Sequence, residues 1–316
     1  MKRIYLLILL FLSAGCNTSS SSRTQPISTL SVPFPTTIVT TLPTSASKPT
    51  PTIKIPTLSP LPTLPPTEAE AMILDLLQDN GGCLFPCWWG LTPAKTSTQT
   101  LKSLLEKFTA NSLRTTFYED VGSASWLIKK NGLVLDVIVS FTYDRVLTGT
   151  VESFRITTEV KKELQEGGFE TVWENPLNEQ YLLAYRLPQI LSVYGKPKDV
   201  LIFANEGWNY FELILDYSDQ GFAIRYSMPL ESSGDEYLGC TSKAFTRLYL
   251  WAPEFAYSWA EGINGMGDKS EIDSLTRDFQ PLGEVTSITL EEFYDFFMNG
   301  DNINCLETPR KLWPGP

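Results

Sequence analysis

The sequence contains no histidine. That absence removes Ser-His-Asp and Cys-His nucleophile systems, imidazole acid–base chemistry and every metal site built on an imidazole. Positive charge is also scarce. The chain carries 25 Lys and Arg against 36 Asp and Glu, a net charge of −11. A nucleic-acid binder needs a basic face, so no nucleic-acid partner is expected. No Gly-x-Ser-x-Gly nucleophile elbow occurs, and no apolar run reaches the ~20 residues of a spanning helix. What remains is a chain of 316 residues that is 42% hydrophobic, enough for a core and long enough for about two domains.

The N-terminus reads Met1-Lys2-Arg3, then an apolar stretch from Ile4 to Leu12, then Ser13-Ala14-Gly15-Cys16. A basic start, a short apolar core and small residues have the form of an export signal. The last four residues resemble the lipobox of bacterial lipoproteins, with Ser13 where leucine is commonest. The resemblance implies that Cys16 is acylated, becomes the new N-terminus and anchors the protein in the membrane from outside the cytoplasm. Residues 17–68 follow: of these 52 residues, 11 are Pro and 22 are Ser or Thr, with Phe34 as the one aromatic and Glu68 as the one acid. Such a composition cannot build a core and reads as a disordered tether. At ~3.1 Å per residue it reaches roughly 150 Å when extended. Residues 1–67 hold five basic side chains and no acid. The remaining 249 residues therefore keep 20 basic against 36 acidic groups, a net of −16. An acidic body is repelled by anionic lipid, so the folded part is expected to stand away from the bilayer.

Setting Cys16 aside leaves Cys83, Cys87, Cys240 and Cys305. An even remainder in an exported protein points to disulfides, with Cys83–Cys87 and Cys240–Cys305 the favoured pairing of three connectivities. A Cys₄ zinc site and a redox-active pair are the weaker readings, since no nearby base lowers a thiol pKa. The segment Cys83-x-x-x-Cys87-Trp88-Trp89-Gly90 resembles one found in uncharacterised bacterial lipoproteins and implies no activity. Its paired tryptophans are expected to form a packed plug rather than a ligand platform.

The folded part reads as α+β. Helices are expected at about 68–80 (a Thr67–Glu70 capping box), 97–108 (a Thr96–Gln99 box), 159–166, 187–194 and from Thr289 to about 299. Strands are expected at 125–130, 133–142 and 151–158, joined first by an Asn131-Gly132 turn, and again at 199–204, 209–217 and 221–227. Leu133, Leu135, Val137, Val139 and Phe141 alternate against Asp136 and Ser140. Phe211, Leu213, Leu215 and Tyr217 alternate against Glu212 and Asp216. The third strands match as Phe154-Arg155-Ile156 and Ile224-Arg225-Tyr226. The expectation is one antiparallel sheet from two similar helix-plus-three-strand units over 69–237, with helices on one face. A disulfide-closed C-terminal α/β segment, 238–316, packs on it. The opposite face, with Asp136, Ser140, Glu212 and Asp216 partly solvated, is the first-choice binding surface.

This order of elements, with the run Leu187-Pro188-x-Ile190-Leu191-x-x-Tyr194-Gly195-x-Pro197, resembles the small BamE/SmpA lipoprotein family. It is also similar to the tandem layout of the β-lactamase inhibitor protein family. The resemblance implies an envelope adaptor that binds an envelope protein or polymer by its sheet, and it carries over no functional residue. The Gly262–Ser270 run is a near miss to a phosphate-binding loop, with Asp268 before Lys269, and reads as a surface loop. Asp301, Asn302, Asn304 and Glu307 lack the order of an EF-hand. No metal or cofactor is called for. A two-carboxylate hydrolase such as Asp136 with Asp216 stays open, as does a glycan or small-ligand binder using exposed Trp and Tyr.

Overall fold

The computed structural model describes residues 63–316 apart from 109–113, 119, 145–148, 175, 256–257, 265–268, 300–304 and 314–316. The chain divides into a unit over Met1–Pro56 and a unit over Thr57–Pro316, and the fold below is that of the second. The lipobox, Cys16, the tether through residue 62 and the 301–304 stretch lie outside the described residues, as do residues 265–268 of the Gly262–Ser270 run; Gly262–Asn264 and Lys269–Ser270 are helical, which corrects the surface-loop expectation at both ends.

Thirteen strands are described: β1 (Arg114–Phe117), β2 (Val121–Lys130), β3 (Leu133–Tyr143), β4 (Val151–Glu163), β5 (Phe169–Thr171), β6 (Asp199–Asn205), β7 (Tyr210–Tyr217), β8 (Phe222–Pro229), β9 (Glu231–Ser233), β10 (Glu236–Cys240), β11 (Phe245–Trp251), β12 (Gln280–Pro281) and β13 (Cys305–Pro309). The helices are α1 (Pro66–Asp79), α2 (Thr98–Lys107), α3 (Pro176–Tyr181), α4 (Leu187–Tyr194), α5 (Trp259–Asn264), α6 (Lys269–Asp278), α7 (Leu282–Val285) and α8 (Leu290–Asn299). The large antiparallel sheet runs β1-β2-β3-β4-β11-β8-β7-β6-β12, with β5 hooked onto β4. A small sheet, β13-β10-β9, is closed where Cys240 lies opposite Cys305, and both expected disulfides are present.

Local chemistry accounts for several elements. Asn131 and Gly132 take positive φ (52° and 77°), as the two-residue turn between β2 and β3 requires. Pro188 opens α4 and Gly195 follows it with φ 76°. Thr289 and Glu292 form a reciprocal capping box ahead of α8. The other two boxes do not form. Helix α1 starts at Pro66, with no side-chain cap, and Leu64 already donates its N–H to the Lys107 carbonyl at 3.1 Å. Ser97, rather than Thr96, caps α2. The helix expected at 159–166 is also corrected. Strand β4 continues to Glu163, because β5 returns beside it and Glu159 and Lys161 point into a polar network on the sheet.

One face of the large sheet carries the main core. Val139, Ile156, Leu248, Ile224, Leu215 and Val200 lie in one continuous row across six strands. They share a cluster with Ile73 and Leu77 of α1, Leu101 and Leu105 of α2, Ile190 and Leu191 of α4, and Phe293 and Phe297 of α8. We call this the helix face. The opposite face is covered over part of its width only. There α5 and α6, with the adjoining Phe279, join Leu201, Ile214, Ala223, Tyr249 and Trp251 in a second cluster.

Two expectations about the sheet are corrected. The C-terminal segment does not pack on a finished sheet; its strand β11 lies in the middle, between the third strands β4 and β8. Nor are the two three-strand units copies of one fold. Strands β4 and β8 are both antiparallel to β11, so they run the same way, and both units turn their apolar side to the same helix face. Yet β2-β3-β4 and β8-β7-β6 follow opposite lateral orders. Same direction, same face and reversed order make mirror images, which no rotation superposes. The alternation that looked repeated in the sequence is what any amphipathic strand needs, not a duplicated unit.

Candidate binding surface

The Cys83–Cys87 loop is a plug at the helix face, joining the two halves of the sheet. Trp88 is fully buried, stacks on Trp89 at 4.0 Å and donates its indole N–H to the Tyr185 hydroxyl at 3.1 Å. Trp89 reaches Trp126 and Phe108, while Phe85 stacks on Tyr194 and meets Phe222 edge-on. The Asn80 side chain ties the loop by donating to the carbonyls of Cys83 (2.7 Å) and Cys87 (2.8 Å). These aromatics are spent on packing. With all four sulfurs in disulfides, none is free to ligate zinc as the Cys₄ reading requires.

The four residues expected on the far face do lie opposite the helix face, but they divide between two environments. Glu212 and Asp216 of β7 belong to the half that α5 and α6 cover, and each is only 4% exposed. Glu212 forms a two-pronged ion pair with Arg225, Nε to Oε1 at 3.0 Å and Nη2 to Oε2, and it accepts from Ser227 at 2.8 Å. The Arg225 guanidinium lies 5.3 Å from the centre of the Phe279 ring. Asp216 accepts the Ser218 N–H at 2.7 Å, and burial pushes its pKa above the usual aspartate value. Partial solvation is therefore corrected for these two, and for Asp136 as well, and holds for Ser140 alone. The two β7 carboxylates were drawn in because Ile214, between them, needs the cover of α6, and Arg225 neutralises Glu212 on the spot.

Asp136 and Ser140 of β3 sit on the other half, where the far face has no helical cover among the described residues. Asp136 is 7% exposed, buried not by a helix but by Lys161 at 2.7 Å, which also holds Glu159 at 3.1 Å. Around them lie the half-buried Ser123, Ser125, Leu127, Ile138, Ser140, Arg155, Thr157 and Arg247. Leu127 and Ile138 belong to neither apolar cluster. This is a largely polar surface over β2, β3 and β4, bordered by Arg247 of β11.

The register also tests the carboxylate pair. Asp136 and Asp216 are on strands four places apart. At about 4.8 Å per strand that separates them by roughly 19 Å, beyond the ~5–9.5 Å that glycoside hydrolysis uses. Among the described residues no group of three or more carboxylate or cysteine side chains is placed to hold a metal ion.

Two features escaped the sequence reading. Arg155 was noticed only as part of a matching strand motif, and Arg247 not at all; an arginine at the alternate position of an apolar strand was the available signal. The second is a cleft of about 580 Å³ at the β6 edge of the sheet, lined by Phe203, Asn205, Trp208, Asp278, Glu284 and Trp313 among others. Trp208 stands 69% exposed on the β6–β7 hairpin, its N–H held by Asn205 at 2.9 Å. Nothing in the composition distinguishes this tryptophan from the buried ones.

Compared with protein-family models, with curated proteins and with solved structures, the chain matches none. The site must therefore be argued from its own chemistry.

Proposed function

We propose that the chain is a lipid-anchored envelope protein, held by Cys16 on a Ser/Thr/Pro-rich tether, whose folded part is a non-enzymatic binding domain. Its binding surface is the open half of the far face, over β2, β3 and β4, with Arg247 of β11 at its border. The observation that carries this reading is the unequal cover of one continuous sheet. Where the far face is apolar, at Leu201, Ile214, Tyr249 and Trp251, the chain supplies α5 and α6 to bury it. Where it is polar, at Ser125, Ser140, Arg155 and Thr157, the face is left free for a partner. A broad surface of hydroxyl and guanidinium groups suits recognition better than turnover, which needs a water-excluding pocket.

The test is retention of an envelope component by the immobilised full chain, with Ser125→Trp set in the middle of the open half. Loss of retention in that variant, with retention kept by Trp208→Ala, supports the reading. Unchanged retention in Ser125→Trp overturns it. A second reading, a small-ligand or glycan site, is favoured by the cleft with its exposed Trp208. It predicts the reverse result, with Trp208→Ala abolishing retention.

A further inference from the structure

Resting on that reading, the geometry points to a phosphate site on the open half, made by Arg155 and Arg247. We infer that the partner presents phosphoryl groups and that these two guanidiniums bind them.

The two arginines lie on adjacent strands of the same face. Arg247 is directly opposite Thr157, and Arg155 is directly opposite Tyr249 on one side and Ser140 on the other. Arg155 and Arg247 are thus diagonal neighbours, which in an antiparallel pair sets their Cβ atoms roughly 7–8 Å apart. Arg247 lies directly opposite Arg225 in turn, so three guanidiniums cross the middle of the sheet on neighbouring strands. Only Arg225 has an acid, Glu212. Among the described residues neither Arg155 nor Arg247 meets a carboxylate at ion-pair distance; the guanidinium of Arg247 rests on the Phe245 ring, 5.2 Å from its centre.

This is an unusual arrangement for so acidic a chain. Among the described residues, two half-buried like charges side by side meet no carboxylate, while on the same face Lys161 holds both Asp136 and Glu159. Like-charged groups so close favour an anion between them. The surroundings add donors. The hydroxyls of Ser140 and Thr157, each facing one of the arginines, make no hydrogen bond to the described residues. Two guanidiniums with five N–H groups each, plus two hydroxyls, offer more donors than the two oxygens of a carboxylate can use. The three or four oxygens of a phosphoryl group match that supply better. The occupant is a phosphate-bearing envelope polymer rather than a lipid headgroup, because the 52-residue tether lets the folded part stand off the bilayer.

The test compares the full chain with Arg155→Gln/Arg247→Gln, using inorganic phosphate and tripolyphosphate against sodium chloride at equal ionic strength. The wild type should be stabilised by both phosphates above chloride, tripolyphosphate binding more tightly. The double variant should bind at least tenfold more weakly, and without phosphate it should melt no lower than the wild type, since its loss relieves like-charge repulsion. An equal response of the two proteins to phosphate overturns the proposal. So does a lower melting point of the variant without phosphate, which assigns the pair a structural role. Binding of oligoglutamate as tight as tripolyphosphate replaces the phosphoryl partner by an acidic protein. Arginine-dependent binding to vesicles of phosphatidylglycerol and phosphatidylcholine (1:1), but not to tripolyphosphate, replaces the polymer by a headgroup. If these arms fail while Ser125→Trp still abolishes retention, the phosphate site falls and the open-face reading stands.

Discussion

The two halves of the large sheet share one helix face and differ on the other. In β2 the burial alternates strictly, buried toward the helix face and half-buried away from it. In β7 every residue after Tyr210 is buried. The cause lies in a few side chains. Strand β6 reads Val200-Leu201-Ile202-Phe203-Ala204, apolar on both sides, so the half it belongs to must be a middle layer. Strand β2 places Ser125 in the row where β6 has Leu201, with Ser123 two residues before it on the same side, and can face water. The same residue type thus has opposite roles. A carboxylate on the open half, Asp136, is held by a lysine at the rim. A carboxylate on the covered half, Glu212, is matched by the half-buried Arg225.

The largest expected effect tests this contrast directly. Glu212→Ala leaves Arg225 buried without its partner and should cost about 3–5 kcal/mol in urea unfolding. Asp136→Ala should cost less, about 1–2 kcal/mol, because the half-buried Lys161 keeps Glu159 when Asp136 is removed. Comparable losses would show that the halves are covered alike. An apolar pair sharpens the same point. Ile214→Ala should cost about 2–5 kcal/mol, as a core truncation does, and Ile138→Ala, in neither cluster, less than half of that. Gly262→Ala tests the cover itself. An added Cβ would meet the Trp251 ring at 2.5 Å, so α5 must shift; a loss of about 1–3 kcal/mol is expected, with altered near-ultraviolet dichroism from Trp251.

The smallest effect is pH-dependent. Burial holds the Asp216 pKa above its ordinary value, so the folded state binds the proton more tightly than the unfolded chain. Its contribution to stability is then present below about pH 3.9 and is lost as pH rises through the raised value. Asp216→Asn should be more stable than the wild type at pH 7, the two converging in acid. A variant less stable at neutral pH would show that the charged form is favoured by its surroundings.

Much of this was legible beforehand because it depends on neighbours in the chain. Helix α4 is bounded as Pro188 and Gly195 dictate. The β2–β3 turn follows from Asn131-Gly132, and the apolar stripes of β3 and β7 do face the helices. That the four cysteines pair followed from parity; of three connectivities, the short loop between Cys83 and Cys87 favoured the one observed. The failures are non-local. Whether Glu212 meets water depended on Arg225, thirteen residues on, and on helices beyond residue 258. The strand at 159–163 took its form from β5 rather than from its own helix-like charges.

By itself, then, the sequence determined the α+β class, the paired cysteines, the position of six of the thirteen described strands and which side of the middle ones is apolar, since strand period and turn chemistry are set within a few residues. The tertiary structure alone decided the rest. It placed β11 between β4 and β8, gave the two strand triplets opposite hands, and brought Arg155 beside Arg247. The order and direction of strands are fixed by pairing between residues up to about a hundred positions apart, and an alternating pattern reads the same in either hand.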